Sequence, residues 1–380
     1  MSKQPRICNK CILTDGFLGI KLNSEGFCNF CVNPNHKNKN WSKITVDDLT
    51  KEQALSDWNS TLERMSKNHG KHKYDCVIGY SGGKDSTALL DIFVNDYNLT
   101  PLAVTVDTGF MTNIAKENIQ DTLKKLTIDH EFIEGAINTF TKLYQFNFLN
   151  HQSHEKSLTK VVCDYCSDLL HSIVVKEAIK REIDVVLFGY SPDQIARYYY
   201  EMPREEILNE WFPVYVYKEP FTKEDQKWYI SSGEYSSEKF PRVLLPYHVL
   251  SYQEDKIIER IESKDLIKKG YGDPIKTNCN VVAAALFYDL NRYGGIVYAL
   301  QYAELVRQDP SIRKKWLRTM KMMAPLILDA KFKEKGVNMF FEKIGTSKEK
   351  LLKIIKSHLN KDPNKSQIYN NLNFVKKKKH

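Results

Sequence analysis

The segment Tyr74-Asp-Cys-Val-Ile-Gly-Tyr80, followed at once by Ser81-Gly-Gly-Lys-Asp-Ser86, constrains this chain more than any other stretch. The apolar run reads as a buried strand, and a helical pattern begins near Thr87, so the residues between them form a strand-to-helix turn. Gly82 and Gly83 let the backbone turn tightly with its N–H groups exposed, and the following helix adds a positive dipole end. Such a turn can cradle a phosphate. It is not a Walker A loop: the position five before Gly83 is Ile78, and Lys84 is followed by Asp85 where Ser or Thr is required.

Around this unit, short β-rich runs alternate with helical patterns. Strands are predicted at 74–80, 102–106, 130–133, 184–189 and 242–245, with helices near 87–95, 114–126, 167–181 and 253–261. The alternation predicts an α/β domain built on a doubly wound parallel sheet over residues 46–280, with ligands at the carboxyl ends of its strands. An amphipathic helix within Val46 to Asn68 leads into it, and residues 281–380 form a helical C-terminal region with a basic tail. Thr346-Ser-Lys-Glu349 reads as a capping box before Leu351 to Leu359.

The turn resembles the phosphate loop of the PP-loop ATP pyrophosphatase superfamily, whose S-G-G-x-D-S pattern is matched by Ser81, Gly82, Gly83, Asp85 and Ser86. The resemblance implies an adenine nucleotide alpha hydrolase-like domain in which ATP is attacked at its α-phosphorus, giving an AMP ester and pyrophosphate. On that reading Ser81 and Ser86 donate to phosphate oxygens, Lys84 neutralises the departing pyrophosphate, and Asp85 holds Mg²⁺ or its water shell. Asp107, ending the next strand, matches the position where the family turns toward the nucleotide; an acid there equally suits capping of the turn that follows.

The chain has eight cysteines. Cys8-x₂-Cys11 and Cys28-x₂-Cys31 have the spacing of a tetrahedral zinc site, so residues 1–45 read as an N-terminal zinc ribbon and linker, with an iron–sulfur cluster as the competing occupant. The surrounding text, Arg6-Ile-Cys-Asn-Lys-Cys-Ile-Leu and Ser24-Glu-Gly-Phe-Cys-Asn-Phe-Cys31, is similar to the N-terminal module of N-acetyl sugar amidotransferases. That likeness implies ammonia from a glutaminase partner and a sugar acceptor.

Cys163-Asp-Tyr-Cys166 opens a helical pattern, and Cys279 lies far downstream. A C-x₂-C pair with one distant cysteine resembles the Fe–S-dependent tRNA thiolation enzymes of the same superfamily. The resemblance implies a [4Fe–4S] cluster on Cys163, Cys166 and Cys279, a tRNA acceptor and a sulfur donor. Two departures stand out. The interval from Cys166 to Cys279 is lengthened by an insertion rich in Trp, Tyr and charge at 201–239. Phe188-Gly-Tyr-Ser-Pro-Asp193 also replaces the family's G-H-x-x-D-D, leaving Asp193 alone at an acidic position.

The leading expectation is therefore adenylation of an acceptor carbonyl oxygen followed by sulfur insertion. The alternatives are ammonia as the nucleophile, acting on a small-molecule acceptor, and a zinc-ribbon RNA-binding protein whose ATP site is inactive. A net charge of +9 suits a polyanionic partner, though part of the excess sits in Lys376 to Lys379. No apolar run has the length of a membrane span, and no secretory leader precedes Cys8. The chain is expected in the cytoplasm with its cysteines reduced and no membrane partner. A homodimer is among the assemblies the resemblance allows. Cys76, inside the first strand, reads as a buried small hydrophobe, and Met320, Met322 and Met323 read as core.

Overall fold

The structure is a computed structural model that describes residues 6–33, 51–151, 156–192, 200–202, 212–236, 240–277 and 279–360. The chain divides into two compact units, one of residues 41–140 and 166–279, the other of 1–40, 141–165 and 280–380.

The first of these units is built on a parallel sheet of β1 (Cys76–Gly79), β2 (Pro101–Val106), β3 (His130–Ile133), β4 (Val185–Phe188) and β5 (Arg242–Leu244), in the order β3-β2-β1-β4-β5. Every pairing is parallel, with Ile78 opposite both Ala103 and Leu187, and Leu187 opposite Leu244. Those residues form one buried row, and their neighbours Leu102, Val77, Val186 and Val243 form another on the opposite face. Both faces are therefore covered in the middle of the sheet, which is why β1, β2 and β4 read as continuous apolar runs and not as alternation. The expected doubly wound α/β sheet is observed.

The helices on this unit are α1 (Lys51–Asn68), α2 (Lys84–Asp91), α3 (Asn113–Leu126) and α6 (Glu254–Ser263). Trp58 of α1 is buried, with Phe93 and Tyr200 edge-on at 6.1 and 6.4 Å. α2 starts three residues before the predicted Thr87, because Gly83 takes an extended conformation (φ −83°, ψ 161°) and Lys84, Asp85 and Ser86 already fall in the first helical turn. Two long helices, α4 (Ile137–Asn150) and α5 (Leu158–Lys180), run between β3 and β4. Cys163 and Cys166 do not open α5, as the sequence suggested, but lie one to two turns inside it.

The second unit contains the N-terminal cysteine module and the expected helical C-terminal region, made of α7 (Asn280–Tyr293), α8 (Tyr298–Gln308), α9 (Arg313–Leu328), α10 (Glu334–Lys343) and α11 (Lys348–Asn360). Leu286 and Leu290 of α7 pack with Ile327 and Met323 of α9, and Phe340 meets Phe148 at 4.8 Å between ring centroids. Two local features differ from the sequence expectation. The cap of α11 is Ser347, whose Oγ accepts from the Lys350 N–H at 3.2 Å, one residue later than the Thr346 box. Met322 is 63% exposed, and of the methionine group Met323 is half-buried and packs against the core. No helix among the described residues is long and apolar enough to cross a membrane.

Candidate active site and candidate metal centre

The candidate active site is at the carboxyl end of β1, where the chain leaves the sheet through Tyr80, Ser81, Gly82 and Gly83 into α2. Gly82 has φ +72°, and a Cβ there would stand 2.3 Å from the Ala115 carbonyl oxygen, so two independent constraints require glycine. The turn is closed by its own serines. Ser81 Oγ and Ser86 Oγ are 3.2 Å apart, the Gly83 N–H donates to Ser81 Oγ, and Ser86 Oγ donates to the Gly83 carbonyl.

β1 lies between β2 and β4, the point at which the strand order reverses direction. In sheets of this kind that reversal opens a crevice at the carboxyl edge. Gly189, just beyond β4, comes so near that a Cβ on it would lie 3.0 Å from the backbone of Ser86. Two strand ends and a helix N-terminus thus converge on Ser81 to Ser86.

Lys84 and Asp85 are both buried and pair with each other at 2.7 Å. Tyr252 touches both: Lys84 Nζ donates to its hydroxyl at 3.1 Å, and the hydroxyl donates to Asp85 Oδ1 at 2.8 Å. Glu254 stands 3.4 Å from Lys84 Nζ. Burial opposes the charge on Lys84, but Asp85 and Tyr252 outweigh it and hold the ammonium pKa above its ordinary value. Burial lifts the Asp85 carboxyl above the usual carboxylate range, against the pull of Lys84. Tyr247, buried beneath, donates from its hydroxyl to the Asp85 carbonyl at 2.9 Å.

Asp107 is buried at the end of β2, where its carboxylate accepts from the Gly109 N–H at 2.8 Å and pairs with Lys116 at 2.7 Å. It caps its own turn, whichever further role it has. Asp193 lies outside the described residues.

Sequence reasoning missed Asn118, on the inward face of α3 beside Ala115, Ile119 and Thr122. Its amide Nδ2 donates to the Gly82 carbonyl at 2.9 Å and to the Tyr271 carbonyl at 3.2 Å. The available signal was an Asn and a Thr at core-facing positions of an otherwise amphipathic helix. Tyr252 and Tyr247 carried no comparable signal.

In the other unit, Cys8, Cys11, Cys28 and Cys31 converge, with all four sulfurs within 4.8 Å of one another. The Cys8–Cys31 and Cys11–Cys28 separations are 3.8 and 3.6 Å. A zinc ion with Zn–S bonds of about 2.3 Å sets the edge of its sulfur tetrahedron at roughly 3.8 Å. The donor set and its spacing therefore fit a single tetrahedral ion. A four-iron cube carries each thiolate on a separate iron and spreads them farther apart. The Cys11 and Cys28 N–H groups both point at Cys8 Sγ, at 3.5 and 3.3 Å. Hydrogen bonding from Cys11 lowers the Cys28 thiol below its ordinary pKa, so this sulfur is disposed to ionise.

Cys163 and Cys166, a turn apart on α5, and Cys279, just before α7, are half-buried and form no disulfide. Three reduced thiols are a donor set suited to iron. Among the described residues, the group converging tightly enough for one ion is the N-terminal four. Cys76 is buried in β1, and burial pushes its thiol pKa far up, as expected of a packing residue. Within the insertion, Tyr229 is buried and its hydroxyl lies 3.4 Å from that of Tyr215, Trp228 packs against Gly135, and Tyr217 is 64% exposed.

No protein-family model matches the chain. An uncharacterized protein of Methanocaldococcus jannaschii, MJ1599, is 31% identical over 113 residues, which cover 27% of this chain and 40% of that protein. The chain thus spans less than half the length of this relative. Three solved structures are similar at low identity. They are the U34-tRNA thiolase NcsA from Methanococcus maripaludis with its [4Fe–4S] cluster (14% identity, 77% of this chain and 80% of that one, TM-score 0.34), the NMN synthetase from Francisella tularensis (15%, 69% and 94%, TM-score 0.32), and the NH₃-dependent NAD synthetase from Campylobacter jejuni (10%, 70% and 96%, TM-score 0.34).

Proposed function

We propose that this chain is an ATP-dependent enzyme of the PP-loop type that adenylates a carbonyl oxygen of its acceptor and then lets a nucleophile displace AMP. The observation that carries this reading is the placement of Ser81 to Ser86. A glycine turn with a positive-φ residue closes on a helix N-terminus at the strand-order reversal of a parallel sheet.

In this mechanism the turn's N–H groups and the hydroxyls of Ser81 and Ser86 hold the β- and γ-phosphates, and Lys84 answers their charge. Asp85 answers the Mg²⁺ that travels with ATP, and Tyr252 keeps the two charged side chains in register. The acceptor oxygen forms a bond to the α-phosphorus as the bond to the β-phosphate oxygen breaks, and pyrophosphate leaves with that electron pair. The second displacement forms the bond from carbon to the nucleophile and releases AMP. Positioning and charge compensation supply most of the rate.

For the nucleophile we favour sulfur, with Cys163, Cys166 and Cys279 holding a [4Fe–4S] cluster; when bound, such a cluster supplies the sulfur-delivery chemistry. The acceptor on this reading is a tRNA. The charge distribution supports a polyanion: residues 280–380 hold 21 Lys and Arg against 8 Asp and Glu, whereas the whole chain holds 56 against 47. Ammonia from a glutaminase subunit and a small-molecule acceptor form the second reading, favoured by the convergence of Cys8, Cys11, Cys28 and Cys31 in a module like that of the amidotransferases. We assign zinc to those four.

The test is ATP-dependent pyrophosphate release and ATP–pyrophosphate exchange in Ser81→Ala and Asp85→Asn. Both variants should stay folded and lose turnover by at least about a hundredfold, the scale of losing one positioned polar group at the reacting charge. Near-normal turnover in both would remove the PP-loop assignment, and exchange absent from the unmodified protein would leave the RNA-binding alternative.

A further inference from the structure

Two arginines from the C-terminal helices reach the cysteine module. Arg313, the first residue of α9, donates from Nε to the Cys11 carbonyl at 2.9 Å and from Nη2 to the Cys8 carbonyl at 2.7 Å. Arg307, in the last turn of α8, places its guanidinium 5.9 Å from the ring centre of Phe30, between Cys28 and Cys31. It lies within electrostatic reach of Cys11 and Cys31. A third contact comes from the α7–α8 turn, where a Cβ on Gly295 would fall 2.6 to 2.9 Å from the ring of Phe17.

Arg307 is the informative one. Its side chain is 17% exposed, and Nε and Nη2 are both spent on Glu304. Nη1 is fully buried and makes no hydrogen bond of ordinary geometry among the described residues, and the group in range of the guanidinium is the Cys31 thiol. A buried guanidinium N–H without an acceptor costs more than a neutral group in the same position. Neutral thiols, the weakest acceptors a side chain offers, do not offset it. A divalent ion changes the chemistry of the site: four thiolates around it carry a net charge of −2, and their sulfurs become charged acceptors. Two guanidinium groups against them offset much of that charge, Arg307 being shared with Glu304, and so reduce the cost of an uncompensated interior charge.

We propose that Arg307 is a hydrogen-bond donor to the metal-bound sulfurs and that, with Arg313, it makes metal loading the event that fastens α8 and α9 to the cysteine module. The proposal rests on the reading of Cys8, Cys11, Cys28 and Cys31 as a single-ion site. Arg307 is a positioning residue here, acting on the metal through its ligands.

The test uses the full chain loaded with Co²⁺ in place of zinc, read by its sulfur-to-metal charge-transfer absorption. Arg307→Ala should move that band to longer wavelength, because sulfur lone pairs relieved of a donor rise in energy. It should also speed zinc loss to a chelator by roughly tenfold or more, the usual effect of removing a group that orients a metal ligand. Arg307→Lys, which keeps the charge without the fork, should lie between the two. Chymotrypsin reads the helices themselves, since Tyr302 of α8 and Trp316 of α9 stack at 3.8 Å. Cleavage at both should appear when the unmodified chain is stripped of metal, and in Arg307→Ala even with metal bound. An unshifted band, unchanged metal release and a cleavage pattern indifferent to chelation would overturn the proposal. A chain that takes up neither Co²⁺ nor zinc would overturn the metal reading beneath it, an outcome distinguished by the absence of any charge-transfer band.

Discussion

Asn118→Leu should loosen the phosphate turn without touching any group that would meet ATP. Asn118 is fully buried, and its one amide nitrogen serves two carbonyls, those of Gly82 at 2.9 Å and Tyr271 at 3.2 Å. Leucine has similar volume and no donor, so the change leaves two interior carbonyls unpaired without opening a cavity. Each costs about 1 to 3 kcal/mol when orphaned, which sets the expected loss of stability at about 2 to 6 kcal/mol. Because Gly82 is in the left-handed region at φ +72°, releasing its carbonyl frees the peptide that shapes the anion cradle. Urea unfolding should report the stability loss, and titration calorimetry should show ATP binding weakened at least tenfold. Thr122→Val is the internal control, since Thr122 donates from the same helix to the Leu266 carbonyl at 3.0 Å. It should cost about 1 to 3 kcal/mol, the range for one orphaned carbonyl, and leave ATP binding alone. Asn118→Leu with an unchanged unfolding midpoint and unchanged ATP affinity would refute the role given to the amide.

Changing Cys163, Cys166 or Cys279 to Ala should each bleach the brown absorbance of an anaerobically prepared chain and stop turnover while sparing ATP binding. A colourless, iron-free protein that is active with ammonia, and remains so as Cys279→Ala, would select the amidotransferase reading. Asp289 gives a pH test. It is fully buried, accepts from the Leu158 and Thr159 N–H groups at the start of α5, and burial raises its pKa to about 6. A carboxyl raised above its unfolded value of about 3.9 favours folding when protonated, so its contribution is complete below about pH 4 and lost as pH rises through 6. The difference corresponds to about 3 kcal/mol. Urea unfolding of Asp289→Asn should therefore lack that gain between pH 7 and 4, and profiles parallel to the unmodified chain would show that Asp289 does not titrate in this range.

What the sequence disclosed follows the range of the forces involved. The inner strands were legible because a sheet covered on both faces writes itself as short apolar runs, and Val77 and Ile78 are both buried. The thiolate quartet was legible because its two knuckles are local. The cap of α11 slipped by one residue since Thr346 and Ser347 are both good capping types, and only the backbone path decides between them. Asn118, Tyr252 and Arg307 were opaque for a common reason: each acts on a partner more than 30 residues away, and nothing local in the text of a helix or loop specifies that partner. Met322 was misread because its neighbours are apolar while its own side of α9 is not covered.

The three-part composition of the cysteine-bearing unit also bears on how the protein is made. Cys31 leaves the ribosome long before Arg313, and the whole strand-bearing unit is translated between them. At about 5 to 20 residues per second that interval is roughly 15 to 60 s. During it the four thiols are out of the ribosome without the arginines that later close over them. Early metal capture would protect them from oxidation, so starving cells of the metal that fills this site should injure nascent chains far more than chains already complete.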